Sequence, residues 1–316
     1  MSELRIGVVG CGGIGAVHLR SWAQVEATRV VAACDPDQAR AEAAGAAAYP
    51  GIEEMLAAEQ LDAVDICTPP RFHASAARAA IAAGLPVLCE KPLARSPEEA
   101  REMARAASDA GVLLMTAFCH RFHPPVEAVR DLIREGRLGR ILMFRNRFGG
   151  LLKGMESKWF SRQEMAGGGA LMDTAIHSVD LFRYLVGEVS TAAGATQSFH
   201  PEIREVEDSA AMLLRGVDGA IGVIEASWVS PWSANVVELY GEHGAAVIDY
   251  DTGATRFRLA EDADWTAIET DSRSRFVEEL RHFAAVIRGE AQPRVTAEDG
   301  VRAVEVVYQA YGNGVG

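Results

Sequence analysis

The fold of the first half of the chain is decided by the stretch Gly10-Cys11-Gly12-Gly13-Ile14-Gly15, which stands between an apolar run and a helical stretch. A Gly-x-Gly-x-x-Gly pattern in this context is typical of a loop that binds a dinucleotide. We expect Gly10 to make the turn, Gly12 to let the backbone approach a pyrophosphate, and Gly15 to permit close packing of the helix. The N-terminus of that helix, which begins at Gly13 and Ile14, would face the phosphates. A plain glycine-rich turn is the alternative, and the strand that follows disfavours it.

That strand is predicted to end at Asp35, about twenty residues after Gly15, the spacing expected for a carboxylate that accepts hydrogen bonds from the adenosine ribose hydroxyls. The next residues are Pro36 and Asp37, so no adjacent basic residue is placed to receive a 2′-phosphate. Two like charges about 4 Å apart at an effective dielectric constant near 20 repel by about 4 kcal/mol. The sequence therefore predicts NAD as the cofactor in preference to NADP, with Arg40 a solvated helix residue.

From Leu4 to Thr116 short β-rich runs alternate with Ala-rich helical stretches, a pattern that indicates parallel strands joined by crossover helices. Gly84 and Gly111 stand where two helices should end, and Ser96-Pro97 forms an N-cap and first-turn pair. We predict strands at Arg5–Val9, Val30–Cys34, Ala63–Cys67, Pro86–Cys89 and Val112–Thr116, and helices at Gly13–Gln24, Asp37–Ala46, Ile52–Ala57, Phe72–Ala83 and Pro97–Ala110.

The pattern changes after Thr116, where strand-like runs up to about Leu259 with turns at Asp218-Gly219 and His243-Gly244 predict an antiparallel sheet. The chain shows no long linker. We predict an α/β Rossmann domain with a parallel sheet over residues 1–120, and an α+β domain with a large, mostly antiparallel open sheet over residues 121–316. The C-terminal helix is expected to pack back on the first domain. Further elements are predicted at Pro125–Arg134, Ile141–Phe148, Ala170–Leu185, Ser274–Ile287 and Ala297–Tyr311.

Length and charge limit the classes of function that the sequence can support. A chain of 316 residues with 49% hydrophobic content can bury a sizeable core. Its 44 acidic and 31 basic residues give a formal charge of -13, which repels nucleic acid and anionic membrane surfaces. The sequence has no apolar run that approaches the roughly 18 residues of a membrane span and no signal-peptide pattern at its start, so we expect a cytoplasmic protein. The five cysteines form no Cys-x-x-Cys pair and are expected to be reduced.

Two motifs carry candidate catalytic groups. Glu90-Lys91-Pro92 ends a predicted strand, and an ammonium at the carboxyl edge of a parallel sheet can stabilise a developing alkoxide. Asp173, His177 and Asp180 follow a Gly-rich stretch at spacings of four and three, so on one helix they would share a face. An imidazole with a pKa near 6.5 is suited to accepting the proton of an alcohol. A solvated lysine and a structural histidine are the alternatives for Lys91 and His177 taken singly.

Taken together, these motifs resemble the glucose-fructose oxidoreductase, inositol dehydrogenase and rhizopine catabolism (Gfo/Idh/MocA) family over essentially the whole chain. The residues that carry the resemblance are Gly10 to Gly15, Asp35, the Thr68-Pro69-Pro70 turn with His73, Glu90-Lys91-Pro92, and the Asp173/His177 segment.

The resemblance implies that Lys91, Asp173 and His177 carry catalysis, with His177 as the acid/base group. It also implies that Thr68, Pro69, His73, Glu90 and Lys91 join the glycine loop and Asp35 at the cofactor. The family's second domain often mediates dimers or tetramers, so a homodimer or homotetramer is expected.

The sequence gives weaker signals for the substrate-binding residues than for the cofactor-binding residues. Arg121 and His123 belong to the cluster Cys119-His120-Arg121-Phe122-His123, which lacks the fourth ligand of a closed metal site, so we expect no metal there. The resemblance places Arg121 and His123 near the substrate pocket, with structural roles as the alternative. Lys153 and Trp159 are further candidates for binding a sugar, since polar and aromatic groups are typical of such pockets.

The resulting hypothesis is an NAD-dependent dehydrogenase that oxidises a secondary alcohol or hemiacetal carbon of a sugar, inositol or related polyol by hydride transfer. Two alternatives stay open. One is redox-neutral, NAD-dependent sugar modification or glycoside cleavage, which some similar proteins perform. The other is a non-catalytic regulator that responds to NAD or sugar.

Overall fold

A computed structural model describes residues 3–314 of the chain. These residues form two compact units. Unit 1 consists of the described residues up to Cys119 together with Ser274–Arg302, and unit 2 consists of His120–Arg273 together with the described residues from Ala303 onward. The predicted second domain spans residues 121–316 with its C-terminal helix packing back on the first domain, whereas in the structure the segment 274–296 and the start of the last helix group with unit 1.

The centre of unit 1 is a six-stranded sheet in which every neighbouring pair is parallel. The order of its strands is β3-β2-β1-β4-β5-β6, so the chain reverses direction across the sheet between β1 and β4. Ligands of open α/β sheets bind at the carboxyl ends of the strands at such a reversal. The strands are β1 (Leu4–Val9), β2 (Thr28–Cys34), β3 (Ala47–Tyr49), β4 (Ala63–Ile66), β5 (Val87–Glu90) and β6 (Leu114–Ala117).

The helices of unit 1 begin and end where local chemistry predicts. Ser96 accepts a hydrogen bond from the Glu99 N–H at 3.2 Å, and Gly111 ends the same helix with φ +65°, so the predicted bounds of this helix are confirmed. Strand β3 was not predicted, and the helix predicted at 37–46 is shorter. The helices are α1 (Gly13–Trp22), α2 (Gln38–Glu42), α3 (Ile52–Ala58), α4 (His73–Ala82) and α5 (Pro97–Ala110).

Unit 2 is built on an eight-stranded sheet of order β14-β13-β12-β11-β7-β10-β9-β8, and only β7 and β10 pair in parallel. The prediction of a large, mostly antiparallel sheet is confirmed. Its elements are α6 (Pro124–Arg134), β7 (Ile141–Leu151), α7 (Gln163–Ala166), α8 (Ala170–Asp173), α9 (Ala175–Leu185), β8 (Val189–Gln197), β9 (Ser209–Gly216), β10 (Ile221–Ser227), β11 (Val229–Gly241), β12 (Gly244–Asp249), β13 (Thr255–Leu259) and β14 (Thr266–Ala267).

One face of this sheet is covered by α9, where Phe182 meets Phe144 of β7 edge-on with ring centroids 5.6 Å apart. The other face exposes large apolar side chains, among them Met143 and Ile221, which are directly paired across β7 and β10. Leu213 of β9 is 54% exposed. We call this the outer face of the sheet.

Two further helices, α10 (Arg275–Ile287) and α11 (Ala297–Gly312), follow the sheet in sequence. Helix α10 packs against α1 within unit 1, and α11 passes from unit 1 into unit 2 at Arg302. Among the described residues 3–314, none of the helices has the length and apolar character needed to span a membrane.

Candidate active site

The Gly-rich loop connects β1 to α1 at the carboxyl edge of the parallel sheet. Gly10 has φ +93°, and a Cβ there would lie 2.8 Å from the Thr68 backbone nitrogen. A Cβ at Gly15 would collide with the carbonyl oxygen of Gly10, so both positions require glycine for packing. Gly12 and Gly13, in contrast, have no atom within 4 Å of an added Cβ. Their surroundings are open at the N-terminus of α1, where an approaching phosphate group would meet unpaired N–H groups.

Asp35 lies just beyond β2 and is 8% exposed. One carboxylate oxygen accepts a hydrogen bond from the Cys11 N–H at 2.9 Å, and the other accepts from the Asp37 N–H at 2.9 Å. Each oxygen has a second lone pair, so the carboxylate can still accept from hydroxyl groups. These two bonds hold Asp35 beside the Gly-rich loop, and binding of an adenosine ribose by this carboxylate stays a prediction.

The Thr68-Pro69-Pro70 turn follows β4 and is tied to the neighbouring β5 turn by His73. The His73 ring is fully buried, with Nε2 2.8 Å from the Thr68 carbonyl oxygen and Nδ1 2.9 Å from the Pro92 carbonyl oxygen. Burial lowers the pKa of His73 despite these carbonyl contacts and the charge of Glu90. A role for His73 at the cofactor stays a prediction, and its ring contacts join the turn after β4 to the turn after β5. The Thr68 hydroxyl is buried without a hydrogen-bond partner among the described residues.

Lys91 follows β5, and its peptide bond to Pro92 is cis. Glu90 is 5% exposed, and its Oε2 accepts a hydrogen bond from the Lys91 N–H at 3.0 Å. The Lys91 side chain is partly exposed. The strand end thus holds the backbone N–H of Lys91 against the buried Glu90 carboxylate.

In unit 2, Asp173 and His177 do not lie on one continuous helix, and the prediction of a single helix at 170–185 is wrong in this respect. Helix α8 ends at Asp173, α9 begins at Ala175, and the His177 N–H bonds the Thr174 carbonyl oxygen instead of the oxygen four residues back. The break coincides with a tertiary contact, in which Trp228 Nε1 donates a hydrogen bond to the Thr174 hydroxyl at 2.9 Å. The interruption is one residue long, and both side chains remain partly exposed.

The Gly-rich stretch before α8 is held by Glu207, whose carboxylate accepts from the Gly169 N–H at 3.1 Å and from the Leu171 N–H at 2.9 Å. Tyr311 of α11 donates to the same carboxylate at 2.7 Å. Burial and the charge of Glu207 raise the pKa of the Tyr311 hydroxyl. An added Cβ at Gly169 would collide with the Glu207 carbonyl oxygen, so glycine is required there.

Asp180, on α9, does not share an accessible face with His177. It is fully buried and forms a bidentate ion pair with Arg121, with 2.6 Å between Arg121 Nη2 and Asp180 Oδ1 and 3.0 Å between Nε and the carboxylate. Substrate binding by Arg121 stays a prediction, and the ion pair gives this residue the further task of fixing α9.

His177 faces aromatic neighbours within unit 2. Its ring centroid is 4.6 Å from that of His120, and His120 Nδ1 is 3.0 Å from the Tyr250 hydroxyl. His123 stacks on Tyr250 with centroids 4.7 Å apart. The sequence did not predict that His120 lies beside His177 or that Tyr250 contacts His120. His120 and Tyr250 are 130 residues apart, so no local pattern indicates their contact.

The other predicted substrate residues lie on the segment after β7. Lys153 is exposed, and Trp159 is partly exposed and packs edge-on against Phe160 at 5.7 Å. Phe160 in turn packs on Trp228 at 5.3 Å, which links this segment to the residue that bonds Thr174. Roles for Lys153 and Trp159 in substrate binding stay predictions.

A parallel sheet with this strand order, an open glycine loop at its reversal point and a carboxylate at the end of β2 define a dinucleotide-binding oxidoreductase domain. Residues 4–118 match the profile of an oxidoreductase family with an NAD-binding Rossmann fold. Residues 126–247 match the profile of the GFO/IDH/MocA C-terminal domain. The chain belongs to the GFO/IDH/MocA family of NAD-binding oxidoreductases.

Individual relatives cover nearly the whole chain. D-apiose dehydrogenase of Paraburkholderia graminis is 30% identical, over 96% of this chain and 86% of the relative. Inositol 2-dehydrogenase of Rhizobium meliloti is 29% identical, over 95% of this chain and 94% of the relative. The structure of a levoglucosan dehydrogenase in complex with NADH superposes with a TM-score of 0.92 at 25% identity, covering 98% of this chain and 96% of that one. The chain is similar to dehydrogenases that act on sugars and inositol.

Proposed function

We propose that this protein is an NAD-dependent dehydrogenase that oxidises a secondary alcohol or hemiacetal carbon of a sugar, inositol or related polyol. The observation that carries the proposal is the open space at Gly12 and Gly13 beside the Asp35 carboxylate, which fits a dinucleotide. Membership of a family with sugar and inositol dehydrogenases supports the substrate class. Bound NAD would supply the hydride acceptor.

Three residues of this chain would assist the loss of the proton from the substrate hydroxyl. The Lys91 ammonium would donate a hydrogen bond to the substrate oxygen and stabilise its developing negative charge. His177, with a neutral imidazole, would accept the hydroxyl proton, and Asp173 would orient the substrate or the ring. Loss of a general base typically costs about 10²- to 10⁴-fold in rate.

The proposed preference for NAD rests on Asp35 and on the ion pair of Arg40, the first basic residue after Asp35 in the sequence. Arg40 Nε lies 3.1 Å from an Asp37 carboxylate oxygen in an exposed ion pair on α2. A 2′-phosphate at the ribose would therefore meet the negative charge of Asp35 with Arg40 already engaged. We expect NADP to bind at least about tenfold more weakly than NAD. A tenfold loss of affinity corresponds to about 1.4 kcal/mol, which is less than the repulsion of about 4 kcal/mol between two like charges about 4 Å apart.

The test measures absorbance of the reduced nicotinamide while the protein, with NAD and separately with NADP, meets inositols, aldoses, anhydrosugars and sugar acids. Turnover with NAD on one substrate class supports the proposal. The Lys91→Ala and His177→Ala variants should then lose at least about 10²-fold in kcat. His243→Gln is the control, because His243 is exposed in the turn between β11 and β12. Substrate conversion without NADH accumulation would favour redox-neutral chemistry, and NAD binding without any conversion would favour a regulator.

We further propose that the protein assembles as a homodimer or homotetramer through the outer face of the sheet. Tyr240, Met143 and Ile221 form one exposed row across β11, β7 and β10. Contiguous exposed apolar side chains of this kind are typical of protein interfaces. Light scattering coupled to size exclusion measures the mass, and a monomer at micromolar concentration would contradict the proposal.

A further inference from the structure

Beneath the carboxyl edge of the unit 1 sheet, three polar side chains form a buried line from α1 to β5. His18 and Asp65 are 0% exposed and Glu90 is 5% exposed. His18 Nδ1 lies 2.9 Å from Asp65 Oδ2, and His18 Nε2 lies 3.2 Å from Glu90 Oε1. None of the proposed catalytic steps uses His18 or Asp65. Burying polar groups so completely has a free-energy cost unless they are paired or hydrogen-bonded.

Asp65 is held in place from three directions. Besides His18, it accepts a hydrogen bond from Trp22 Nε1 at 2.8 Å, and the Cys67 thiol lies 3.6 Å from its Oδ1. Its carboxylate therefore has a fixed orientation, and it fixes the imidazole of His18 in turn. The 2.9 Å separation is that of a direct hydrogen bond, so we interpret His18, Asp65 and Cys67 as a hydrogen-bonded group and not as metal ligands.

Protonation of His18 is favoured by its neighbours Asp65 and Cys67. Burial alone would lower the pKa of His18, but the negative charge of Asp65, the hydrogen bond to it and the Cys67 thiol raise it well above 6.5. A protonated ring donates a hydrogen bond from Nδ1 to Asp65, and its positive charge lies beside Glu90, where the 3.2 Å contact of Nε2 is an ion pair without hydrogen-bond geometry. His18 thus contacts both buried carboxyl groups.

The line ends at the proposed catalytic lysine. Glu90 Oε1 faces His18, while Glu90 Oε2 accepts the Lys91 N–H at 3.0 Å. The position of the Glu90 carboxylate therefore sets the position of the Lys91 backbone, from which the ammonium extends. His73 holds the next peptide through the Pro92 carbonyl oxygen.

We propose that His18 and Asp65 are positioning residues for Lys91, acting through the Glu90 carboxylate. The Asp65 to His18 hydrogen bond orients the ring, the ring fixes Glu90, and Glu90 fixes the Lys91 backbone. The consequence for the reaction rests on the proposed function, in which Lys91 contacts the substrate oxygen. The placement of the Lys91 amine itself does not depend on that function.

The same cluster is faced by one more carboxyl group, from α10. Glu279 is fully buried, and both its oxygens lack a hydrogen-bond partner among the described residues. Burial raises the pKa of Glu279 well above its ordinary value, His18 and Arg275 lower it, and Glu90 and Asp65 raise it. Burial therefore favours the neutral form of the Glu279 carboxyl group. Glu279, Arg275 and Cys67 therefore also contribute to any pH dependence measured for His18, Asp65 and Glu90.

Two substitutions at residue 18 separate the proposal from a general loss of packing. In His18→Gln the side-chain amide reaches the position of Nε2 and keeps a donor toward Glu90. In His18→Asn the shorter amide keeps a donor toward Asp65 and loses the contact with Glu90. We expect kcat to fall about 10- to 100-fold in His18→Asn, because small displacements of a catalytic group have effects of this size, and to recover largely in His18→Gln. KM and the affinity for NAD should change less than threefold in both.

A readout without turnover tests the same link if no substrate is found. Lys91, Lys153 and Lys158 are labelled in competition with a trace amine reagent at pH 7 to 10, and mass spectrometry gives the labelling rate of each lysine. Lys153 and Lys158 are exposed and serve as internal controls. We expect the pH profile of Lys91 labelling to shift in His18→Asn and to return in His18→Gln, with both controls unchanged. This result would support the positioning line even if the proposed dehydrogenase activity failed.

The proposal is overturned if Lys91 labelling in folded His18→Asn equals that of the natural protein. Equal losses in both variants that track their thermal stability would also overturn it, since they indicate a structural role. If His18→Asn does not fold, Glu90→Gln gives the answer from the other end of the line. Its amide keeps an acceptor for the Lys91 N–H without the charge that attracts His18, and an unchanged Lys91 profile there would contradict the proposal.

Discussion

Replacing Asp180 by asparagine removes one charge of the ion pair with Arg121 while keeping the size of the side chain. The side chains are 6% and 1% exposed for Arg121 and Asp180, so the buried guanidinium would lose the carboxylate charge that lies 2.6 Å away. Removing one partner of a buried pair costs about 3–5 kcal/mol. For a domain of 150–250 residues, each kcal/mol shifts Tm by about 2–4 °C, so we expect Asp180→Asn to lower Tm by about 6–20 °C.

Differential scanning calorimetry without ligand measures this effect, and Glu242→Gln is the matched control in the same unit. Glu242 pairs with Arg140 at 2.9 Å, but the two side chains are 40% and 63% exposed. An exposed pair contributes about 0–1 kcal/mol, so the control should lose at most about 4 °C. Equal shifts in Asp180→Asn and Glu242→Gln would refute the reasoning, because burial would then make no difference to the value of the pair. Because α9 carries His177, the Asp180→Asn variant should also lose kcat at temperatures where it remains folded.

Three further outcomes follow from single features. Gly12→Ala should leave thermal stability nearly unchanged, because a Cβ there meets no atom within 4 Å, and should weaken NAD binding at least about tenfold in a fluorescence titration, since the methyl group enters the pyrophosphate space. Burial and the charge of Arg294 lower the pKa of His282 from 6.5 to about 4, so its contribution to stability is present above pH 6.5 and lost as the pH falls toward 4. His282→Gln should flatten the pH dependence of urea unfolding in this range, and an unchanged slope would contradict the assignment. Leu213→Asp, on the exposed outer face, should reduce the mass in light scattering to that of a monomer without lowering Tm by more than a few degrees.

The sequence predicted those parts of the fold that rest on local chemistry. The cap at Ser96, the left-handed glycines at 84 and 111, and the Gly-rich loop each act within a few residues, so a pattern of residue types specifies them. Strand β3 escaped prediction because Ala47-Ala48-Tyr49 is short and has little intrinsic strand preference, and it forms only by pairing with β2.

The site was predicted in its residue types but not in its connections. The break at Thr174 coincides with a contact from Trp228, 54 residues away, and the buried line depends on His18 meeting Asp65, 47 residues away. Asp180 shows the limit of helical periodicity, because spacing places it near His177 in sequence while the Arg121 charge draws it into the interior. Side chains that meet only after the sheet has formed leave no pattern in the sequence.

The composition of unit 1 from two separate stretches bears on how the chain matures on the ribosome. All six strands of the parallel sheet are synthesised by residue 119, yet α10, which packs against α1, emerges only after the whole of residues 120–273. During that interval the face of α1 that α10 later covers is exposed to solvent. Partly folded domains with exposed apolar surface are prone to aggregate. An isolated fragment ending near residue 119 should therefore behave as an incomplete domain, and chaperone demand during synthesis should decline once residue 287 has left the exit tunnel.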